Sequence, residues 1–302
     1  MNVGQLRLLI HGVTRFHDAL EKKLETLHID TLEDKLLLKN GNYLYKVPFR
    51  DGHAVLKVYY GDRSIFRYLR GTLGNLLFAG QTSFMPKARL STEVACIHLW
   101  RQNGLRVFEI YDVKVDAPGV PEGGYVLYEY VPGRHFVNLF SDPEVPEEEK
   151  LALYRRFLKE WHRRHDLAMK LREPRLIHEN GDLKHVMLWQ DDLVWFDFEM
   201  CFRSRRRVKE FVAREILAYL KSLGKTVGPE KFQKYLGETV KHYPGREYLE
   251  YTYTYILRNP NPARRAARWL DFRFKPRARK PFSKYRVALA LRDRLQTLLT
   301  RG

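Results

Sequence analysis

Only two cysteines, Cys96 and Cys201, occur in 302 residues. They are too few for a disulfide framework or a zinc site, which excludes a small disulfide scaffold and a structural metal domain. Long apolar runs are also missing: none approaches the roughly 18–20 residues that a membrane span needs. The stretch MNVGQLRLLIHGVTRFHDALEKK mixes apolar and charged groups and lacks the apolar core and cleavage site of a signal peptide. These absences lead to the expectation of a soluble, cytoplasmic protein. Acidic residues are scarce in one place only. Residues 203–302 hold 26 Lys and Arg against 8 Asp and Glu, whereas residues 1–202 hold 28 of each.

The formal net charge of +18 therefore belongs to the last third of the chain. Its densest parts are Arg203, Arg205, Arg206 and Arg207, and the stretch from Arg258 to Lys284, where Asp271 is the only acid. Charge so confined implies an anionic partner: nucleic acid, an anionic membrane surface or a phosphorylated glycolipid. The bland alternative is a solvated face.

Hydrophobic spacing divides the chain. Leu6, Leu9, Val13, Phe16, Leu20, Leu24 and Leu27 recur every three or four residues, predicting an amphipathic helix over 4–28 and a helical extension over 1–30. Period two then predicts strands at 36–39, 43–48 and 54–60, with turns at Asn40-Gly41-Asn42 and Arg50-Asp51-Gly52. Residues 61–90 carry no clear pattern. A helix is expected over 92–103, with Ser91 as its cap and Gly104 as its stop. Strands are expected at 107–115 and 125–130. Beyond Pro132-Gly133 the pattern is mostly helical: 147–171, opened by a Glu run, then 207–223, 229–242 and 284–299. Short strand-like runs fall at 176–177, 187–189 and 194–196. The expected division is a strand-rich lobe over 31–131 and a helical lobe over 132–302, with a cleft between them.

Four pieces follow in one order. Ala54-Val55-Leu56-Lys57 is an apolar strand ending in a lysine, and Glu93 stands early in the next helix. Gly181-Asp182-Leu183-Lys184 follows the long helix, and Asp197-Phe198-Glu199 comes 15 residues after Asp182. Phosphoryl transfer needs positive charge on the phosphates, a held metal and an oriented hydroxyl. A lysine paired with a glutamate can grip phosphates, an Asp after a buried strand can hold Mg2+, and a second Asp can accept the hydroxyl's proton.

With these pieces in order, residues 35–220 resemble the protein-kinase-like superfamily. The resemblance implies an α+β, bilobal fold: a small, mostly antiparallel N-lobe with one helix, and a larger helical C-lobe. Lys57 falls on the strand-three lysine and Glu93 on the helix-C glutamate. Tyr128-Glu129-Tyr130-Val131-Pro132-Gly133 looks like the interlobe hinge, so Glu129 and Val131 are candidate nucleotide contacts. Asp182 falls on the catalytic-loop aspartate and Asp197 on the metal-binding aspartate, with Asp-Phe-Glu in place of Asp-Phe-Gly. Lys184 would stand beside the transferred phosphate. Within the superfamily the chain is most similar to bacterial kinases of lipopolysaccharide core heptose and Kdo sugars. That comparison implies ATP and Mg2+ as cofactors, and a kinase acting on an anionic glycolipid at the inner face of the cytoplasmic membrane.

The sequence departs from the family at two points. The Gly-rich loop is reduced to Gly41. The catalytic loop, His178-Glu179-Asn180-Gly181-Asp182-Leu183-Lys184-His185, reads in two registers. Anchored on Gly-Asp-Leu-Lys, Asp182 is the base and Met187 stands where a metal-binding Asn is usual. Anchored on His178 and the strand after it, His185 takes the Asn place and Asn180 the Asp place. A shortened loop combines them, with Asp182 as base and His185 as a metal or phosphate contact. His178 reads as a core histidine holding the loop. Arg203–Arg207 lie where a kinase's activation segment would run, so the substrate lip is short. Tyr248, Tyr251, Tyr253 and Tyr255 with Arg258, Arg264, Arg265 and Arg268 suit sugar stacking, RNA or plain packing. The irregular loop keeps a pseudokinase scaffold as an alternative, and the basic third keeps a kinase-like protein acting on or with RNA or protein.

Overall fold

The computed structural model describes residues 25–39, 41–59, 65–75, 80–258 and 261–299. The chain divides into two compact units. One is Met1–Asp62 with Glu109–Tyr130; the other is Arg63–Phe108 with Val131–Gly302. The segment expected as one lobe, 31–131, thus contributes to both. Most of the helix expected over 4–28 lies outside the described residues. At its end the expectation fails: Thr26–His28 is a strand, β1, because its backbone pairs in parallel with a strand at Lys114–Asp116.

The sheet-bearing unit also contains β2 (Leu36–Lys39), β3 (Tyr43–Phe49), β4 (Gly52–Val58), β5 (Ile110–Tyr111), β6 (Lys114–Asp116) and β7 (Tyr125–Glu129). Five of these form an antiparallel sheet in the order β2-β3-β4-β7-β5. Arg50, with φ +51°, turns β3 into β4. Alternation then sends Val47 and Phe49 of β3, and Ala54, Leu56 and Val58 of β4, into one core with Val113, Val115 and Leu127. The run expected over 107–115 is broken, and its paired residues fall into the short β5 and β6.

The helical unit holds α1 (Ile65–Gly74), α2 (Pro86–Gln102), a short strand β8 (Arg134–His135), α3 (Phe136–Ser141) and α4 (Glu147–Leu171). Then come β9 (Val186–Trp189), β10 (Asp192–Trp195), α5 (Val208–His242), α6 (Arg246–Leu257), α7 (Pro262–Phe274) and α8 (Lys284–Leu299). Helix α2 begins six residues before the expected start. Pro86 opens it with a ring preset for the first helical turn, and Ser91, expected as the cap, lies inside and bonds back to the Ala88 carbonyl. Gly104, at φ +68°, follows the helix as expected. Leu176 ends a single 3-10 turn, Pro174–Leu176, rather than a strand, because its N–H and that of Ile177 bond back to the Glu173 and Pro174 carbonyls. The two helices expected at 207–223 and 229–242 run as one helical stretch interrupted at Gly228, whose φ of +79° precedes Pro229.

Helix α4 lies at the centre of this unit's core. Glu147, Glu148 and Glu149 complement the positive end of its dipole, and Arg172 closes it in the left-handed region. Leu151, Tyr154, Leu158, Trp161, His165 and Ala168 form its buried stripe. Tyr154 meets Tyr235 edge-on at 5.3 Å, and Trp161 meets Tyr219 at 5.3 Å, which fastens α4 to α5. The same interface buries an ion pair between Arg164 and Glu215, joined by His165 at 3.1 Å.

Candidate active site

Strands β9 and β10 pair antiparallel, with Val194 and Trp195 fully buried. The chain leaving β10 is therefore fixed for the residues that follow. Asp197 takes φ +73°, a left-handed conformation costly for a residue other than Gly, and one that clusters at functional sites. His178 donates from Nε2 to the Asp197 carbonyl at 3.2 Å, Asn180 donates from Nδ2 to Oδ2 at 3.3 Å, and His185 Nε2 lies 3.1 Å from Oδ2.

The imidazole of His185 is constrained from both sides. Its Nδ1 lies 2.9 Å from the Asn180 carbonyl, to which it can only donate. Its Nε2 faces the Asp197 carboxylate. His178 behaves differently. It is fully buried, accepts at Nδ1 from the Tyr219 hydroxyl at 2.8 Å, and is pushed down to about 4 by burial and by neighbouring His185. Its neutral ring lies tilted against Phe198 at 5.3 Å, so it organises the loop, as expected from its buried character.

Asp182 turns away from this cluster. Its Oδ1 accepts from the Ser222 hydroxyl at 2.7 Å and from the Lys184 N–H at 3.1 Å, capping the 3-10 turn Leu183–His185. Ser222 is on α5 and also accepts from the Leu183 N–H at 3.1 Å. Gly181 permits the close approach of this loop to α5. A Cβ there would lie 3.0 Å from the Tyr219 ring. Lys184 is exposed, and its carbonyl meets His135 Nδ1 at 2.9 Å. The structure therefore brings Asp197, His185 and Asn180 together, and sets Asp182 and Lys184 on the adjoining turn.

A pocket of about 340 Å3 opens beside Asp197, lined by Gln81, Glu179, Asn180, Asp197, Glu199 and others. Glu179 is a residue the sequence reading passed over. Its carboxylate accepts from the Gln81 side-chain amide, and burial, with the nearby Asp197 charge adding, pushes it up to about 7. Nothing in the local sequence signals this, since its hydrogen-bond partner Gln81 lies 98 residues away. Glu199, the last residue of Asp-Phe-Glu, pairs with buried Arg89 of α2 at 2.7 Å. Glu199 thus ties the end of Asp-Phe-Glu to α2.

The remaining expected residues lie as follows. Lys57 is on β4, 6% exposed, with its ammonium 5.2 Å from the Tyr59 ring. Glu129 ends β7 and accepts from the Glu109 N–H at 3.1 Å. Glu93 is buried on α2. Val131 is buried against Met187 and Val194. Lys57 and Glu129 belong to the sheet-bearing unit, and Glu93, Val131, Asp182, His185 and Asp197 to the helical one.

Among the described residues no three His, Cys, Asp or Glu side chains are grouped to hold a metal by themselves. Mg2+ commonly takes one or two carboxylates and draws its other oxygens from phosphates and water. Asp197 with its polar neighbours fits an ion delivered with a nucleotide, not a metal cage.

No family model matches the chain, and no curated protein matches it. Among solved structures, the chain is similar to WaaP in a complex with acyl carrier protein. Identity there is 14%, the match covers 72% of this chain and 81% of that one, and the TM-score is 0.41. It is also similar to the Rio2 kinase from Chaetomium thermophilum, solved as an ADP/Mg2+-phosphoaspartate complex. Identity is 13%, coverage is 93% of this chain and 75% of that one, and the TM-score is 0.40.

Proposed function

We propose that this chain is a protein-kinase-like phosphotransferase that uses ATP and Mg2+ to phosphorylate a hydroxyl of an anionic glycolipid sugar. The observation that supports it best is Asp197: a left-handed aspartate at the exit of a buried strand, braced by His178, Asn180 and His185 beside an open pocket. A carboxylate held at the mouth of an open pocket can take a metal ion among its oxygen ligands.

In this reading Lys57 and Glu93 position the nucleotide's phosphates, and Glu129 and Val131 contact its base. Asp197 and His185 hold Mg2+, which neutralises charge on the phosphates when bound. The acceptor oxygen forms a bond to the terminal phosphorus, the bond to the bridging oxygen breaks, and the acceptor's proton passes to a carboxylate. Asp182 is the expected carboxylate, with Lys184 beside the transferred group. The base is positional, because a loose transition state asks little basicity of it. The protein would work from the cytoplasmic side at the surface of the inner membrane.

A pseudokinase scaffold is the second reading. It is favoured by Asp182 being engaged by Ser222 and the Lys184 N–H while an amide, Asn180, faces Asp197.

Both readings are tested by thermal shift with Mg-ATP and by phosphate transfer, using wild type, Asp182→Ala and Asp197→Ala. The enzyme reading expects a shift and turnover in wild type, both lost in Asp197→Ala, and turnover alone lost in Asp182→Ala. Absence of both shift and turnover in wild type rejects it. A shift without turnover selects the scaffold.

A further inference from the structure

Helix α7 (Pro262–Phe274) is turned inside out. Asn261 caps it, its side-chain oxygen accepting from the Ala263 N–H at 2.9 Å. At 100° per residue, Pro262, Ala266, Trp269, Leu270 and Phe274 share one side. On a helix packed into a globule, that side would face the core. Here it faces solvent: Trp269 is 63% exposed, Leu270 48% and Phe274 69%. The packed side is the polar one. Asp271 accepts from the Tyr285 hydroxyl at 2.8 Å, Phe272 lies against the Tyr285 ring at 4.6 Å, and Arg268 bonds to the carbonyls of Ile256 and Leu257.

The charge around this face has one sign. Arg265, Arg273, Lys275, Arg277, Arg279 and Lys280 are all exposed. Beyond the end of α7 lies a pocket of about 510 Å3, lined by Lys221, Lys225, Lys275, Arg277, Lys280 and Lys284, with Asp271 as its only acid. That acid is already paired with Lys275 at 2.6 Å and Lys284 at 3.4 Å. The pocket thus holds an excess of ammonium groups over a floor that includes Phe282. The ring of Phe282 fits there because residue 224 is glycine: a Cβ would come within 2.3 Å of it.

We infer that α7 lies flat on an anionic phospholipid bilayer, with Trp269, Leu270 and Phe274 among the upper acyl chains and the pocket around Lys275–Lys284 on lipid phosphates. An apolar stripe with Trp, flanked by Arg and Lys, is the composition of an interfacial helix. Arg273, within the apolar side, has a stem long enough to keep its guanidinium at headgroup level. Nucleic acid would use the charge but leave Leu270 and Phe274 in water. A protein partner would have no need of one charge sign on every flank. The proposal deepens the lipid-borne acceptor above and rests on that reading for its purpose. It does not share its test, because bilayer binding needs no nucleotide.

The experiment is vesicle co-sedimentation of the full chain. The vesicles are phosphatidylcholine alone, or three parts phosphatidylcholine to one part phosphatidylglycerol. Wild type is compared with Trp269→Ser/Leu270→Ser/Phe274→Ser and with Arg277→Glu/Lys280→Glu. Wild type is expected to bind the anionic vesicles at least tenfold more strongly than the neutral ones. Each variant should lose tenfold or more of that binding with its circular dichroism and thermal midpoint intact. Quenching of Trp269 by brominated acyl chains, absent in Trp269→Phe, is expected as well. Three results overturn the inference: no binding to anionic vesicles, binding untouched by the triple substitution, or a wild-type dimer in light scattering that the triple substitution makes monomeric. RNA binding lost in the triple variant while vesicle binding persists overturns it too.

Discussion

His185 and Asp197 face each other at 3.1 Å between Nε2 and Oδ2, while the other ring nitrogen of His185 is spent on the Asn180 carbonyl. In the proposed reading this pair holds the metal of a bound nucleotide. Asp197→Asn is expected to abolish the thermal shift with Mg-ATP. His185→Ala is expected to weaken the apparent metal affinity about tenfold or more. Titration of Mg2+ at fixed ATP measures both. Equal affinities in wild type and Asp197→Asn would remove Asp197 from the metal site.

Glu179 predicts a pH dependence. Its carboxyl is raised from 4.5 to about 7, so folding takes up a proton between those values. Stability is then present in full below about 4.5 and is lost as pH rises through 7. Glu179→Gln should flatten this slope, worth on the order of 1–3 kcal/mol across the window. His178 has the opposite sign. Lowered from 6.5 to about 4, it costs stability as pH falls through that range. Denaturant midpoints of wild type and Glu179→Gln at pH 5, 6, 7 and 8 check the prediction. A constant difference between them at all four values contradicts it.

Gly181 sets the distance between the loop and α5. In Gly181→Ala the added carbon meets the Tyr219 ring at 3.0 Å and Glu215 Cγ at 3.2 Å. The loop must shift, and a loss of about 1–3 kcal/mol is expected. Ser222→Ala should cost about 1 kcal/mol by removing a donor to Asp182. Urea unfolding measures both, and the effect of Ser222→Ala on turnover tests whether holding Asp182 matters to chemistry.

The buried pair Arg164–Glu215 anchors α4 to α5. Arg164→Met leaves Glu215 buried with only His165 and Tyr residues near it, and a loss of roughly 3–5 kcal/mol is expected. Glu215 is held down at about 2 chiefly against its own burial, by the Arg164 and His165 charges. Its stabilisation is therefore present above about 4.5 and lost as pH falls toward 2. A variant whose midpoint matches wild type at pH 7 would show that the pair is neutral to stability.

What could be read from the sequence was whatever local spacing encodes. Residues 147–171 and 284–299 form helices with those bounds, and the strands of the N-terminal sheet fall close to their expected places. The start of α2 was missed because Pro86 outranked Ser91 as a starting signal. Helices α6 and α7 carry no separate signal, for different reasons: the Tyr-rich run reads as a stacking surface or plain packing, and an inverted apolar face gives no core signal. The site divides in the same way. Asp197 was legible from the strand before it. The turning of Asp182 toward Ser222, and the raised carboxyl of Glu179, depend on partners 40 and 98 residues away, which no window of sequence contains. Cys96 and Cys201, legible only as too few for a framework, are free thiols buried in the fold.

Strand β7 sits inside the sheet, between β4 and β5, yet it is the last of the five to be written in the chain. Val58 pairs with Tyr125 and Ala54 with Glu129. A ribosome therefore makes the β3–β4 hairpin, then roughly 65 further residues, before the strand that closes its inner edge exists. Through that interval Leu56 and Val58 have a ladder on one side only, whereas the locally wired α4 needs nothing beyond its own residues to form.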